Sequence, residues 1–213
     1  MRSMPTLVVV AMLSVLSVRQ SVAGPVVPGN STVPTHITLV GSRSSIADAI
    51  GVYTVVARDL ANNPHDNVSI VLDLSGCSDL TLCSDQLDAR ASVNCAAKTV
   101  RKFTDISGSV SFTVLGSSNG AGNATTLLNG AKIYGEGTLL GSPTVSALDL
   151  DGSHGVGIND LSVWLSDFGA PGSPPFGRSD FDGSGALDIN DLSVWLTAYG
   201  AGGSTQGCAT SCP

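Results

Sequence analysis

This 213-residue chain contains one glutamate, three histidines and two tryptophans, and charged residues make up only 13% of it. Each scarcity removes a class of function. Glycoside hydrolysis needs two carboxylates held across a cleft, yet Glu136, in Tyr134-Gly-Glu-Gly137, is the sole glutamate, and most aspartates outside the C-terminal loops fall at turns or on solvent faces of strands. Both tryptophans sit in the C-terminal repeats, so the remaining chain has no aromatic platform for stacking sugars. His36 and His65 come without a nucleophile motif, and histidine is too scarce and too distant from the cysteines for a zinc cluster. The chain therefore reads as non-catalytic. Ten basic residues against seventeen acidic ones leave a net charge of −7, which argues against nucleic acid or an anionic membrane as partner.

Long apolar runs are equally rare. The longest, Leu7 to Val18, has twelve residues, whereas a spanning helix needs about 20. It follows Met1-Arg2 and precedes the small residues Ser21-Val-Ala-Gly24, the pattern of a secretory signal peptide over residues 1–24. Its removal deletes Arg2 and Arg19 and takes the net charge from −7 to −9. The expectation is a protein that is secreted, extracellular or on the cell surface, with no membrane span in the mature chain. Five cysteines (Cys77, Cys83, Cys95, Cys208 and Cys212) suit export, because disulfides persist there. None shows CxxC spacing. Bonds are expected among the first three and between the two in the tail, with one thiol left over or bonded to another chain; the connectivity stays open.

What the chain does have is a duplicated acidic loop. Asp149-Leu-Asp151-Gly-Ser153-His-Gly155-Val-Gly-Ile-Asn-Asp160 recurs 31 residues later as Asp180-Phe-Asp182-Gly-Ser184-Gly-Ala186-Leu-Asp188-Ile-Asn-Asp191. Both copies run straight into Ile-Asn-Asp-Leu-Ser-Val-Trp-Leu. Oxygen side chains at positions 1, 3, 5 and 12, with a backbone carbonyl at 7, suit calcium, which takes six to eight oxygen ligands. The second loop adds a carboxylate at position 9, Asp188, where the first has Gly157, so the second site is expected to bind calcium more tightly. Each loop leads into a short helix. Leu161, Trp164, Leu165 and Phe168 recur at helical spacing, as do Leu192, Trp195, Leu196 and Tyr199, and Gly169 and Gly200 follow as stops. The two apolar stripes are expected to pack on each other, because helices this short are marginal alone in water.

Paired loop-helix units that lack an entering helix and carry Asp at position 12 resemble dockerin domains, calcium-dependent modules that bind cohesin domains in secreted polysaccharide-degrading assemblies. The likeness covers about Leu148 to Ala201. It implies two calcium ions. The first would be held by Asp149, Asp151, Ser153, the Gly155 carbonyl and Asp160, and the second by Asp180, Asp182, Ser184, the Ala186 carbonyl, Asp188 and Asp191. It also implies a cohesin-like protein partner, read in the family by positions 10 and 11, which are Ile-Asn in both copies. Three features depart from the family: Ser at position 5 in both loops, His154 at position 6 of the first, where Gly makes the sharp turn, and Gly157 at position 9.

Residues 25–147 read as β structure. His36–Val40, Val68–Leu74 and Val110–Val114 alternate apolar and polar side chains, and Ala61-Asn-Asn-Pro64, Asp105-Ile-Ser-Gly108 and Gly120-Ala-Gly-Asn123 supply turns. Short alternating strands over about 120 residues predict an antiparallel sandwich. Val55-Val-Ala-Arg-Asp59-Leu-Ala-Asn-Asn-Pro64 and Phe103-Thr-Asp105-Ile-Ser-Gly108-Ser-Val-Ser-Phe112 resemble bacterial Ig-like domains of the invasin and intimin type, which implies presentation rather than chemistry. The insert Gly76–Lys98, with three cysteines, departs from that family.

The resulting expectation is a mostly β chain: signal peptide 1–24, Ig-like antiparallel β-sandwich 25–147, small α-helical dockerin-like module 148–201 with two calcium loop-helix repeats, and a Cys-containing tail 202–213. Two functions compete. One is calcium-dependent docking to a cohesin-like partner. The other is a structural or adhesive surface role in which calcium only rigidifies the C-terminal module.

Overall fold

A computed structural model describes residues 24–119, 130–153, 155–170, 177–200 and 210–212. The expected signal peptide lies outside these residues except for Gly24, as do His154, Cys208 and most of the Pro/Gly connector between the repeats. The described chain is mostly β, with two helices near its end. Its strands are β1 (His36–Leu39), β2 (Ser42–Arg43), β3 (Ile46–Ala47), β4 (Val52–Val56), β5 (Ser69–Asp73), β6 (Leu80–Leu82), β7 (Ser92–Asn94), β8 (Thr99–Phe103), β9 (Ser109–Thr113), β10 (Gly116–Ser118), β11 (Lys132–Gly135), β12 (Thr138–Gly141) and β13 (Thr144–Ala147). Helices α1 (Ile158–Phe168) and α2 (Ile189–Gly200) follow.

The largest sheet has the order β12-β11-β5-β8-β7, all antiparallel. Two-stranded ladders join β4 with β9, β6 with β10, β2 with β3, and β1 with β13. The last of these is parallel, His36 lying opposite Thr144 and Leu39 opposite Ala147, so the β region is not purely antiparallel as the alternation suggested. Parallel pairing needs a long connection, and here the whole β region between the two strands provides it.

Alternation places the core as expected. Val68, Ile70, Leu72 and Leu74 point inward from β5 and its flanks, and Phe112 of β9 joins them with its ring stacked on Tyr53 at 5.4 Å. Each such side chain, fully buried, contributes about 1.5–3 kcal/mol. The turns use left-handed backbone at Asn62, Asn67 and Gly108, residue types that reach it at least cost.

β1 is covered on both faces. Ile37 and Leu39 enter the main core, whereas Thr38 faces the second acidic loop and donates its hydroxyl to the Phe181 carbonyl at 3.0 Å. β13 runs directly into the first loop. There the Leu148 N–H bonds the Leu39 carbonyl, and the Asp149 carbonyl accepts the Ser118 N–H at 2.8 Å. A second apolar cluster, formed by Val40, Leu148, Leu150, Val156, Trp164, Phe181, Trp195 and Ala198, then ties both loop-helix units to the β region.

The cysteine pairing differs from expectation. Cys95 bonds Cys212 across 117 residues, Cys83 is also disulfide-bonded, and Cys77 is a buried free thiol. The tail cysteine therefore crosses to the insert instead of closing a loop within the tail. The cause is a backbone bridge: residues 210–212 lie beside residues 82–84, with Cys83 paired to Ser211 and the Cys212 N–H donated to the Leu82 carbonyl. That contact is invisible in the spacing.

Candidate metal centres

Each acidic loop folds around its own carboxylates. In the first, Asp160 closes the ring: Oδ1 accepts the N–H groups of Leu150 (2.6 Å) and Asp151 (3.0 Å), and Oδ2 accepts that of Gly157 (2.6 Å). The second repeats the device. Asp191 Oδ1 accepts from Phe181 (2.7 Å) and Asp182 (3.2 Å), and Oδ2 from Asp188 (2.8 Å). Position 1 is held from the other side, Asp149 by the Ser153 and Gly155 N–H groups and Asp180 by those of Ser184 and Gly185. The tight path needs positive φ at Gly152 and Gly183, both at position 4, and at Gly185 at position 6. Glycine takes that conformation without a Cβ penalty.

The outcome is two triads. Asp149, Asp151 and Asp160 place one carboxylate oxygen each within 4.8 Å of the others, and so do Asp180, Asp182 and Asp191. Oxygens bound to one calcium at 2.3–2.6 Å lie at most about 5 Å apart, so each triad has the dimensions of half a calcium shell. The donor set is all oxygen. Either triad could hold a metal ion.

The electrostatics point the same way. Asp160 and Asp191 are fully buried, and Asp149 and Asp180 nearly so. Burial pushes the Asp160, Asp180 and Asp191 carboxyls above the ordinary carboxylate range, and neighbouring negative charges add to it. Burial opposes ionisation of Asp151 and Asp182 as well, but hydrogen bonds, chiefly from Ser153 and Ser184, outweigh it and hold both below that range. Two carboxylates about 4 Å apart repel by roughly 4 kcal/mol at an effective dielectric near 20. A divalent cation among them would remove that repulsion.

The remaining candidate ligands divide. Ser153 and Ser184 lie beside the triads through their backbone bonds, and the Ser184 hydroxyl also contacts the Ala186 carbonyl at 3.2 Å. Gly155 is placed at the first triad by its N–H to Asp149. Asp188 is not part of the second triad. Its carboxylate turns to the backbone and side chain of Asn190, at 2.7 and 3.3 Å, where it caps the start of α2. The expected four-against-three difference between the sites is thus absent from the converging groups; each holds three.

The helix faces match expectation in part: Trp164 and Trp195 share one buried cluster, with Leu161 and Leu192 packed against it. The buried positions are Asp160, Trp164 and Asp167 on α1, and Asp191, Trp195 and Ala198 on α2. Leu165, Phe168, Leu196 and Tyr199, expected in the packed stripes, are each between 44% and 54% exposed. Each tryptophan instead bridges the two sides, with Trp164 stacked on Phe168 at 5.1 Å and Trp195 on Tyr199 at 4.9 Å. Sequence reasoning also missed the β-region residues that seat the loops, namely His36, Thr38 and Ser118. No local pattern marks them, since their partners lie 30 to 150 residues away.

No family model matches the chain, and no match was found among curated proteins or solved structures.

Proposed function

We propose that this is a secreted, non-catalytic protein whose two acidic loops bind one calcium ion each, and whose calcium-ordered helices dock a protein partner of the cohesin-like kind. In this reading residues 25–147 are an Ig-like sandwich that presents the C-terminal module. The observation that carries the calcium reading is the repetition of one hydrogen-bonded carboxylate net in both loops, ligand for ligand at positions 1, 3 and 12. Calcium would supply the charge that lets three carboxylates share a buried site; Ser153, Ser184 and the carbonyls of Gly155 and Ala186 would extend the shell.

The docking reading is supported by matched exposed apolar rows. Ile158, Leu165 and Phe168 face solvent on α1, as do their counterparts Ile189, Leu196 and Tyr199 on α2. Contiguous exposed apolar surface on a small protein marks an interaction site. The rival reading, calcium as a purely structural stiffener, is favoured by a different observation: Thr38 and Ser118 bond the loops directly to the β region.

Capture from the secretome of the source organism separates the two. With calcium the immobilised protein retains a partner, and chelator releases it; an Ile158→Asp/Ile189→Asp variant loses the partner while keeping its calcium. An identical set of retained proteins with and without chelator would sink the docking reading and leave the structural one.

A further inference from the structure

The end of α1 carries a cluster that the metal sites do not use. Asp167, buried at the last turn, receives Arg178 in a two-point fork, Nε to Oδ2 and Nη2 to Oδ1, both at 2.8 Å. Its Oδ2 also accepts the Ser179 hydroxyl at 2.6 Å. Arg178 is 6% exposed and Ser179 is fully buried. Asp79 of the β region is buried too, within electrostatic reach of the same guanidinium, and neither of its carboxylate oxygens has a hydrogen-bond partner among the described residues.

Asp160, the closing residue of the first triad, lies on the buried face of α1 two turns before Asp167, with Trp164 between them. Ser179 immediately precedes Asp180, the first residue of the second triad. Helix α1 thus begins at the last ligand of one site and ends in side-chain bonds to the residue before the first ligand of the other, and a bidentate, charge-assisted pair fixes the joint. The counterpart of Asp167 in α2 is Ala198, so the clamp is not repeated.

We propose that Asp167, Arg178 and Ser179 couple the two metal sites, so that filling the first loop raises the calcium affinity of the second. This rests on the calcium reading above. With the first loop empty, repulsion among its carboxylates loosens the Asp160 end of α1; the clamp passes that displacement to Ser179 and shifts Asp180 out of register with Asp182 and Asp191. By linkage the effect is reciprocal, and couplings of this kind are typically about 5- to 150-fold in affinity.

The test is a cycle of calcium titrations on the full chain, followed by calorimetry. Asp151→Ala disables the first site. In the otherwise native chain it weakens the remaining site by on the order of tenfold. In the Asp167→Asn background, which keeps the shape but removes the charge, the same substitution changes that affinity less than twofold. Arg178→Gln removes the charged fork from the other side and serves as the second background should Asp167→Asn not fold; folding is checked by circular dichroism in saturating calcium. An undiminished effect of Asp151→Ala in the clamp variants, or no effect in the native chain, overturns the coupling. Absence of any calcium heat in the native chain overturns the calcium reading itself, a distinct result.

Discussion

Gly183 of the second acidic loop sits directly on the His36 side chain of β1. A Cβ at Gly183 would overlap the Cβ and Cγ of His36, closer than real carbons approach, and the backbone there is left-handed at φ +70°. A loop whose carboxylates could hold a metal ion is therefore also a packing surface for the β region. Gly183→Ala is expected to destabilise the protein by about 3 kcal/mol, combining backbone strain with a clash. Gly137→Ala is the control: φ is +82° but nothing lies within 4 Å, and the expected loss is about 1 kcal/mol. Urea unfolding in saturating calcium measures both, and equal losses would show that His36 simply gives way.

The two ligand classes in the second loop should separate under mutation. Asp191→Ala removes the group that both closes the loop and completes the triad, so calcium binding at that site is expected to disappear. Asp188→Ala removes a helix cap, so affinity is expected to fall less than tenfold, with about 1 kcal/mol lost from stability. Calorimetric titration distinguishes them, and loss of the site in Asp188→Ala would restore a ligand role for position 9.

His36 should make stability sensitive to acid. Burial lowers its pKa from 6.5 to about 4, although the Asp182 charge and a hydrogen bond to Phe181 pull the other way. The unfolded chain takes up this proton between pH 6.5 and 4 and the folded chain does not. The stability present above pH 6.5 is therefore lost as pH falls to about 4, by up to roughly 3 kcal/mol. His36→Gln should flatten that part of the profile relative to the native chain. Parallel profiles for the two proteins between pH 6.5 and 4 would refute the assignment.

The Cys95–Cys212 bond closes a loop of 117 residues, and constraining the unfolded chain over that length is worth about 5 kcal/mol. Cys212→Ala should lower stability by that order and free residues 210–212 from the edge at residues 82–84. Proteolysis under native conditions reads the release directly; an unchanged cleavage pattern would mean that the backbone bridge alone holds the tail.

Cys77 is buried, and burial pushes its thiol up to about 12, with the nearby Asp79 charge contributing. The thiolate is the reactive form. Native protein should therefore resist iodoacetamide at pH 8, and peptide mapping should find Cys77 labelled only after denaturation. Rapid labelling in the folded state would contradict its burial.

Much of this could be read along the chain because the governing geometry is local. Ligand spacing within twelve residues is set by one tight loop, so Asp149, Asp151 and Asp160, and likewise Asp180, Asp182 and Asp191, could be grouped from their order alone. Strand alternation follows from the pleat, and it identified Val68, Ile70, Leu72 and Leu74 as core.

The helix stripes pack only in part: Leu161, Trp164, Leu192 and Trp195 share one cluster as expected, whereas Leu165, Phe168, Leu196 and Tyr199 stay half exposed. Hydrophobicity selected Leu161, Trp164, Leu165 and Phe168, but loop closure turns Asp160 inward, and helical periodicity then brings Trp164 and Asp167 to the same side. An aspartate can occupy that buried position only because Arg178 and Ser179 meet it there.

Residue order and type thus decided the loops, the two helices and the alternation of β1, β5 and β9, all of which depend on neighbours within about a dozen residues. Folding in three dimensions decided what no short-range pattern encodes: β1 lying parallel to β13, Cys95 reaching Cys212, Thr38 bonding Phe181, and which side of each helix is left facing water. These contacts join distant segments, and they form because burying apolar surface in the main core and in the cluster around Trp164 and Trp195 outweighs the entropy lost in bringing those segments together.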